Sequence, residues 1–225
     1  MAQNGKEHQL GDFIKGRLQF IQDYCENNGL NLETSFADIQ KEAVRLAGDP
    51  ERQEYLEKRL FSGSILSSSF LPDWVDKVFL EAMTKVLKGM HAKLYTSTSE
   101  ESCIPFEAGR FNARRQAETV FKLLYQGKRP EVWMKTTFPV LYLKCYGDDA
   151  AKHLKVEETG PGHFRVTTDN RDLEKASPMD CSTVIGYLFG SLEMLGAERP
   201  LVTHDICGIK PGSPSGVCVF EVSWK

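Results

Sequence analysis

The spacing of the apolar residues changes about halfway along the chain, and this change limits the fold more than any other feature. In the first half, apolar residues recur every three or four positions, as on one face of a helix. The clearest stripe consists of Leu10, Phe13, Ile14, Leu18, Ile21, Tyr24 and Cys25. In the second half, several segments alternate apolar and polar residues, which is typical of strands. The sequence therefore predicts an α+β fold, with a helical N-terminal half followed by a mostly antiparallel sheet packed with helices.

The same patterns place the individual elements. Further helices are predicted near 33–47, 50–61, 72–95, 106–126 and 178–196. Strands are predicted near 140–146, 152–158, 200–207 and 217–224, with a hairpin strand that carries Phe164 and Val166. The helix at 178–196 has the clearest ends, because Ser177 and Pro178 are typical of an N-cap and a first helical residue. Gly196 is typical of a C-terminal cap. Within this helix, we interpret Gly186 and Gly190 as positions of close backbone packing against the sheet, in preference to any membrane role.

Composition excludes several classes of protein. The chain has 225 residues, with 28 basic and 31 acidic side chains, a length typical of one large domain or two small ones. The one basic stretch, 107–135, coincides with a predicted helix. We interpret it as a solvated helical face and expect no direct nucleic-acid binding. No run approaches the roughly 20 apolar residues of a membrane span. The first residues lack the apolar core of a signal peptide, so we expect a cytoplasmic protein.

The six cysteines lie at 25, 103, 145, 181, 207 and 218. In a reducing compartment, cysteines occur as thiols or metal ligands more often than as disulfides. We interpret Cys25, Cys103 and Cys145 as small apolar residues of the core.

The remaining cysteines form a candidate metal site with one histidine. Cys181 falls in the first turn of the 178–196 helix, where the backbone amides favour a thiolate. His204 and Cys207 end one predicted strand, and Cys218 opens the next. Three thiolates and one imidazole can form a closed tetrahedral zinc site. The spacing is not that of a zinc finger, so buried thiols, a surface histidine or a Cys207–Cys218 disulfide stay open as alternatives.

A family resemblance bears on this choice. The segments Pro178–Gly190, His204-Asp-Ile-Cys207 and Cys218-Val-Phe-Glu-Val222 resemble the C-terminal signature of the four-vinyl-reductase domain family. That family includes sensory domains of aromatic-responsive transcription activators, and its fold is related to haem nitric-oxide sensors and trafficking-particle subunits. The resemblance implies a structural zinc ion at Cys181, His204, Cys207 and Cys218. It covers 105–225 and leaves 1–104 as a helical region for dimerisation or packing. His204 replaces an acidic residue of the family pattern, and the 208–216 loop is longer.

The resemblance also implies a buried apolar cavity between the helices and the sheet. The candidate lining residues are Phe121, Tyr125, Trp133, Phe138 and Tyr142. Ordinary core packing is the alternative for each of them, since aromatic residues at helical spacing are usually buried.

Together these features favour a sensory or regulatory protein that binds a small hydrophobic or aromatic ligand and contains structural zinc. We expect a homodimer, with a regulatory protein as a possible further partner. The alternatives are an enzyme or accessory factor of tetrapyrrole or aromatic metabolism, and a protein–protein adaptor. Four protein ligands leave no open zinc position for catalysis, and the sequence lacks a dinucleotide-binding fingerprint. We therefore assign no catalytic residue.

Overall fold

The structure, a computed structural model, describes residues 7–8, 11–63, 65–66, 68–90, 103–119, 121–146, 153–171, 177–209 and 215–225. The chain divides into two compact units, Met1–Pro105 and Phe106–Lys225, called here the N-terminal unit and the C-terminal unit. The first is mainly helical and the second combines helices with a four-stranded antiparallel sheet, so the predicted α+β class is confirmed. Within the described ranges, no helix has the length and apolar character needed to cross a membrane.

Helices dominate the N-terminal unit. Its elements are β1 (Glu7–His8), α1 (Gly11–Asn28), α2 (Leu32–Ala47), α3 (Pro50–Tyr55), a π-helical continuation (Leu56–Phe61), β2 (Leu71–Pro72) and α4 (Asp73–Met90). The stripe predicted on α1 faces the core, with Ile14, Ile21 and Cys25 fully buried. Two parts of the predictions, Leu10 and residues 91–95, lie outside the described residues.

Side-chain caps determine where α2 and α3 begin. The Asn31 side chain accepts a hydrogen bond from the Thr34 amide, and the Asp49 side chain accepts one from the Arg52 amide. Both bonds satisfy amides of the first turn that have no partner within the helix. The segments predicted at 33–47 and 50–61 are therefore helical, with boundaries close to those expected.

A buried ion pair joins α1 to α4. Arg17 Nε and Nη2 donate to the two carboxylate oxygens of Asp76 at 2.6 and 2.7 Å, and both side chains are buried. Burial alone raises the pKa of Asp76, but the charge and hydrogen bonds of Arg17 outweigh it and hold the pKa below its ordinary value. Asp76 is therefore more acidic in the folded chain than in the unfolded one.

This depressed pKa predicts a loss of stability in acid. The contribution of the ionised Asp76 side chain to the free energy of unfolding is complete above the ordinary carboxyl pKa of about 3.9. It is lost as the pH falls through the lower folded value, because protonation then favours the unfolded chain. We expect the free energy of unfolding, measured by urea titration, to fall more steeply in acid for the wild type than for Asp76→Asn. Glu54→Gln, at an exposed ion pair with Lys58, is the control. Equal acid slopes for the wild type and Asp76→Asn would contradict the prediction.

Helices precede the sheet in the C-terminal unit. Its elements are α5 (Ile104–Glu118, of which the first two residues belong to the N-terminal unit), α6 (Lys122–Tyr125), α7 (Pro130–Val132), a π-helical turn (Trp133–Thr137), α8 (Phe138–Tyr146), β3 (Leu154–Gly160), β4 (His163–Asp169), α9 (Pro178–Met194), β5 (Leu201–Cys207) and β6 (Val217–Ser223). The strand order is β3-β4-β6-β5, and every neighbouring pair is antiparallel. Phe164, Val166, Phe220 and Val222 are buried and alternate with more accessible residues, so one face of the sheet forms the core.

The strand predicted at 140–146 is wrong, because these residues belong to α8. Phe138 and Leu141, three residues apart, are buried, whereas Val140 is 44% exposed. That is the spacing of a helix face. A short apolar run rich in aromatic and branched residues cannot be assigned by periodicity alone, since a buried helix and a buried strand look alike at this length.

The single helix predicted at 106–126 is also wrong. α5 ends at Glu118, and a separate short helix, α6, begins at Lys122. Between them the Phe121 amide donates to the Gln116 carbonyl at 3.0 Å, five residues back instead of four. The apolar spacing continues across this irregular turn, so the sequence pattern does not reveal it.

Glycines allow α5 and α9 to approach closely. A Cβ atom on Gly186 would lie 2.0 Å from the Phe106 carbonyl oxygen, and one on Gly109 would lie 2.2 Å from the Thr183 carbonyl oxygen. One on Gly190 would lie 2.8 Å from the Arg110 carbonyl oxygen. These glycines therefore pack one helix backbone directly against the other. The prediction that Gly186 and Gly190 pack against the sheet is wrong, because their nearest neighbours belong to α5.

Candidate metal centre

The start of α9 places Cys181. Ser177, before the helix, has an extended backbone, and its amide donates to Asp180 Oδ2 at 2.7 Å. This bond and Pro178 in the first turn fix the beginning of the helix near the position predicted from the sequence. Cys181 is 4% exposed. Gly196, in a left-handed conformation (φ 76°), follows the end of the helix as expected.

Strands β5 and β6 place the other three side chains. Cys207 lies directly opposite Cys218, and His204 lies opposite Phe220. The pairing register shifts between His204 and Ile206, which marks a β-bulge. In a regular strand, residues three apart point to opposite faces of the sheet. The extra residue of the bulge turns His204 and Cys207 to the same face, that of the buried Cys218 and Phe220.

The four donor atoms converge. Cys181 Sγ lies 3.5 Å from Cys218 Sγ and 4.0 Å from Cys207 Sγ. The candidate ligand atoms of Cys181, His204, Cys207 and Cys218 all lie within 4.8 Å of one another. Zinc–sulfur bonds of about 2.3 Å in a tetrahedron require sulfur–sulfur distances of about 3.8 Å. The cluster can therefore hold a metal ion with only small adjustments.

The histidine supports a metal in this position. Its ring stacks on Phe220, with a centroid distance of 4.6 Å and an angle of 13° between the planes. This contact fixes the ring plane. His204 Nε2 is buried and has no hydrogen-bond partner among the described residues. A buried ring nitrogen without a hydrogen-bond partner is costly, and His204 contributes one ring nitrogen to the four donor atoms that lie within 4.8 Å of one another.

The thiols have perturbed acidities. The hydrogen bond from Cys181 lowers the pKa of Cys218 to about 4, against the opposing effect of burial and with further help from His204. The same hydrogen bond and burial raise the pKa of Cys181. Of the two hydrogen-bonded thiols, Cys181 therefore holds its proton more tightly. A metal ion would displace that proton, because metal-bound thiols are deprotonated.

Two glycines shape the ends of the loop that joins β5 to β6. The Gly216 amide donates to the Gly208 carbonyl at 3.0 Å, and Gly216 has a left-handed backbone (φ 65°). A Cβ atom on Gly208 would lie 2.3 Å from backbone atoms of Val217. The tight base of the loop thus holds Cys207 and Cys218 in register. Residues 210–214 lie outside the described residues.

The other cysteines lie apart from this cluster or are not described. Cys25 is buried in the core, as predicted, whereas Cys103 is half-buried. The Cys145 side chain lies outside the described residues.

The aromatic residues predicted to line a cavity pack against one another. Tyr125–Trp133, Trp133–Phe138 and Phe138–Tyr142 have centroid distances of 5.3, 5.7 and 6.3 Å. Tyr125, Trp133 and Phe138 are buried, and Tyr142 is half-buried. Phe121 is half-buried in the turn between α5 and α6. Four of the five predicted residues therefore form one continuous aromatic layer.

A buried polar network borders this layer and was not predicted from the sequence. Tyr125 Oη lies 2.9 Å from Ser191 Oγ and 3.3 Å from Tyr187 Oη, and Tyr187 donates to Gln116 Oε1 at 2.8 Å. Tyr187 and Ser191 are four residues apart on α9, as are Asn112 and Gln116 on α5. Polar residues at this spacing on otherwise apolar helix faces are the signal that could have revealed it.

Of the comparisons with known proteins, the one with solved structures identifies the fold. No protein-family model matches the chain, and no curated protein matches it. Among solved structures, a point mutant of T. tengcongensis H-NOX is 15% identical, with a TM-score of 0.56 over 96% of this chain and 97% of that chain. An Fe(II) unliganded H-NOX mutant from K. algicida is 12% identical, with a TM-score of 0.58 over 96% of both chains. An S. oneidensis H-NOX mutant is 13% identical, with a TM-score of 0.52 over 85% of this chain and 94% of that chain. The chain thus has the fold of the H-NOX proteins. This confirms the predicted fold relationship to haem nitric-oxide sensors.

Proposed function

We propose that Cys181, His204, Cys207 and Cys218 hold one structural zinc ion. The observation that carries this proposal is the convergence of four donor atoms within 4.8 Å of one another. Thiolate and imidazole donors suit zinc, and four protein ligands leave no coordination position for water or substrate. The ion would connect the first turn of α9 to the β5–β6 hairpin and would serve folding and not catalysis.

We propose further that the protein binds a small hydrophobic or aromatic molecule and acts in sensing or regulation. The shared fold with H-NOX proteins supports a sensory role. The aromatic layer from Tyr125 to Tyr142, bordered by the buried hydroxyls of Tyr187 and Ser191, supports a ligand that combines an apolar body with a hydrogen-bonding group. Binding sites of this kind are mainly apolar with a few polar groups.

Haem is the cofactor that the structural neighbours suggest, since haem distortion has been studied in the H-NOX family. A haem requires an axial ligand above a flat apolar slot. His204 lies instead among three thiols, which is a compact four-donor arrangement. The aromatic layer is packed ring to ring and leaves no porphyrin-wide gap between those rings. Neither group of residues fits a haem, and we assign no haem-dependent step to them.

The remaining parts of the proposed function, which concern the domains and partners, rest on the sequence predictions. Residues 105–225 resemble the four-vinyl-reductase family, and residues 1–104 would form a helical region that supports a homodimer. A regulatory protein would receive the signal in the cytoplasm. These assignments are tested by the oligomeric state of the purified chain and by the proteins that co-purify with it.

Metal analysis tests the zinc proposal directly. We expect purified protein to contain about one zinc ion per chain, because the four ligands form one closed site. Cys218→Ser should lower the zinc content severalfold. Cys103→Ser, at a cysteine outside the cluster, should leave it unchanged. Zinc-free wild-type protein that is fully folded, with reactive thiols at 181, 207 and 218, would contradict the proposal.

Native mass spectrometry of protein isolated from its own host tests the sensory proposal. A co-purifying hydrophobic or aromatic molecule is the expected result. Turnover of an added tetrapyrrole with a reductant would instead favour an enzyme. A stable protein partner with neither ligand nor turnover would favour an adaptor.

A further inference from the structure

The Cys218 sulfur receives a hydrogen bond from outside the proposed ligand set. Asn170 Nδ2 donates to Cys218 Sγ at 3.6 Å. Sulfur hydrogen bonds are longer than those to oxygen. Asn170 thus brings a side-chain N–H group from outside the four proposed ligands within hydrogen-bond distance of a cluster sulfur.

Asn170 is held in place by the strand ends around it. Its backbone amide donates to the Gly216 carbonyl at 2.9 Å. Its side-chain Nδ2 also lies 3.2 Å from Thr168 Oγ1 and 3.4 Å from the Gly216 carbonyl oxygen. Thr168 is buried and lies directly opposite Cys218 in the β4–β6 pairing. The side-chain amide is therefore placed beside the sulfur by backbone and side-chain contacts at the ends of β4 and β6.

The three sulfurs consequently have different surroundings. Cys218 is fully buried and has a side-chain N–H donor from outside the ligand set. Cys207 is half-buried on β5, at the edge of the sheet, and its sulfur lies within hydrogen-bond distance of Cys181. Three thiolates around one divalent ion carry excess negative charge. N–H donors stabilise such charge, and hydrogen bonds to ionised groups are the strong ones.

We propose that Asn170 is a positioning residue for the metal centre: it donates to the Cys218 thiolate, tightens metal binding and lowers the reactivity of that sulfur. This inference rests on the proposed zinc site. Hydrogen-bond partners that orient metal ligands typically contribute 10–100-fold to metal affinity. The donation withdraws electron density from Cys218, and Cys181 is buried, so the half-buried Cys207 is left as the most reactive of the three bound thiolates.

Two variants and a matched control test the proposal. Asn170→Leu removes the donor at similar size, and Asn170→Asp replaces the N–H group by a carboxylate oxygen. Arg171→Gln changes the net charge by the same amount as Asn170→Asp, one residue away, at a side chain that pairs with Asp169. The zinc dissociation constant is measured by competition with a chromophoric chelator. Alkylation of each cysteine by iodoacetamide in the zinc-loaded protein is followed by mass spectrometry.

We expect Cys207 to react fastest and Cys218 slowest in the wild type. Asn170→Leu should raise the zinc dissociation constant about tenfold and selectively speed the alkylation of Cys218. Asn170→Asp should increase both the dissociation constant and the alkylation rate of Cys218 further. Arg171→Gln should match the wild type. Co²⁺-loaded protein gives a second readout, since loss of the donor should shift the thiolate-to-cobalt charge-transfer band.

Several outcomes would overturn the inference. Wild-type protein that binds neither zinc nor cobalt would overturn the zinc site and this inference with it. Zinc binding with the same alkylation pattern in all four proteins would overturn the role of Asn170 alone. Loss of fold in both Asn170 variants at saturating zinc would assign Asn170 to support of the backbone, and it would also overturn the proposal.

Discussion

Removal of the metal with a chelator is expected to unfold the region around α9, β5 and β6. The proposed ligands come from these three elements, and a structural zinc ion contributes about 10 kcal/mol or more to folding in small domains. That is comparable to the whole stability of a typical domain. Without the ion, Cys181, Cys207 and Cys218 would be left as crowded thiols beside an unpartnered histidine nitrogen.

Hydrogen exchange followed by mass spectrometry localises this effect. Amide protection should fall in β5, β6 and the first turns of α9 after chelation, and it should return when zinc is added. The amides of α2 and α4, in the N-terminal unit, are the internal reference and should change least. The prediction is contradicted if the chelated protein keeps its full protection in β5 and β6.

Substitution of Gly186 by alanine is expected to destabilise the C-terminal unit severely. The added methyl group would lie 2.0 Å from the Phe106 carbonyl oxygen and 2.8 Å from its carbon, so the α5 and α9 backbones must separate. Overpacking of this kind costs about 3 kcal/mol, or more where backbone must move. Because α9 also carries Cys181, five residues earlier, the shift should weaken zinc binding as well.

Gly160→Ala is the matched control in the same unit. The nearest atom to a Cβ at Gly160 is the His163 side chain at 3.8 Å, which is ordinary van der Waals contact. Its free energy of unfolding should stay within about 1 kcal/mol of the wild type. Urea denaturation of the zinc-loaded proteins measures both effects. Equal stability of Gly186→Ala and the wild type would show that the two helices do not pack as described.

The sequence was most informative where side chains act locally. The apolar spacing on α1 reflects which residues the helix buries, and Ile14, Ile21 and Cys25 are indeed buried. Ser177, Pro178 and Gly196 bound α9 because their backbone preferences suit helix ends. Close backbone packing was predicted at Gly186 and Gly190 against the sheet, but both glycines pack against α5 instead.

The secondary-structure predictions failed where the apolar spacing is compatible with more than one local structure. The run from Val140 to Tyr146 has the composition of a strand, but its burial follows a helix, with Leu141 inward and Val140 outward. The end of α5 depends on an irregular turn at Phe121 that periodicity does not detect. In both cases the local sequence is compatible with two structures, and packing selects one of them.

For the candidate metal centre, the sequence alone determined the donor types and their order along the chain: one thiol at a helix start, then an imidazole and two thiols on successive strands. Only the tertiary structure decided that the four converge. The β-bulge between His204 and Ile206 turns the side chains of His204 and Cys207, three residues apart, to the same face of the sheet. The β4–β6 register places Asn170 beside Cys218. Both features depend on pairing between strands. That pairing is stabilised by contacts between residues far apart in the sequence, so no single segment of the chain predicts it.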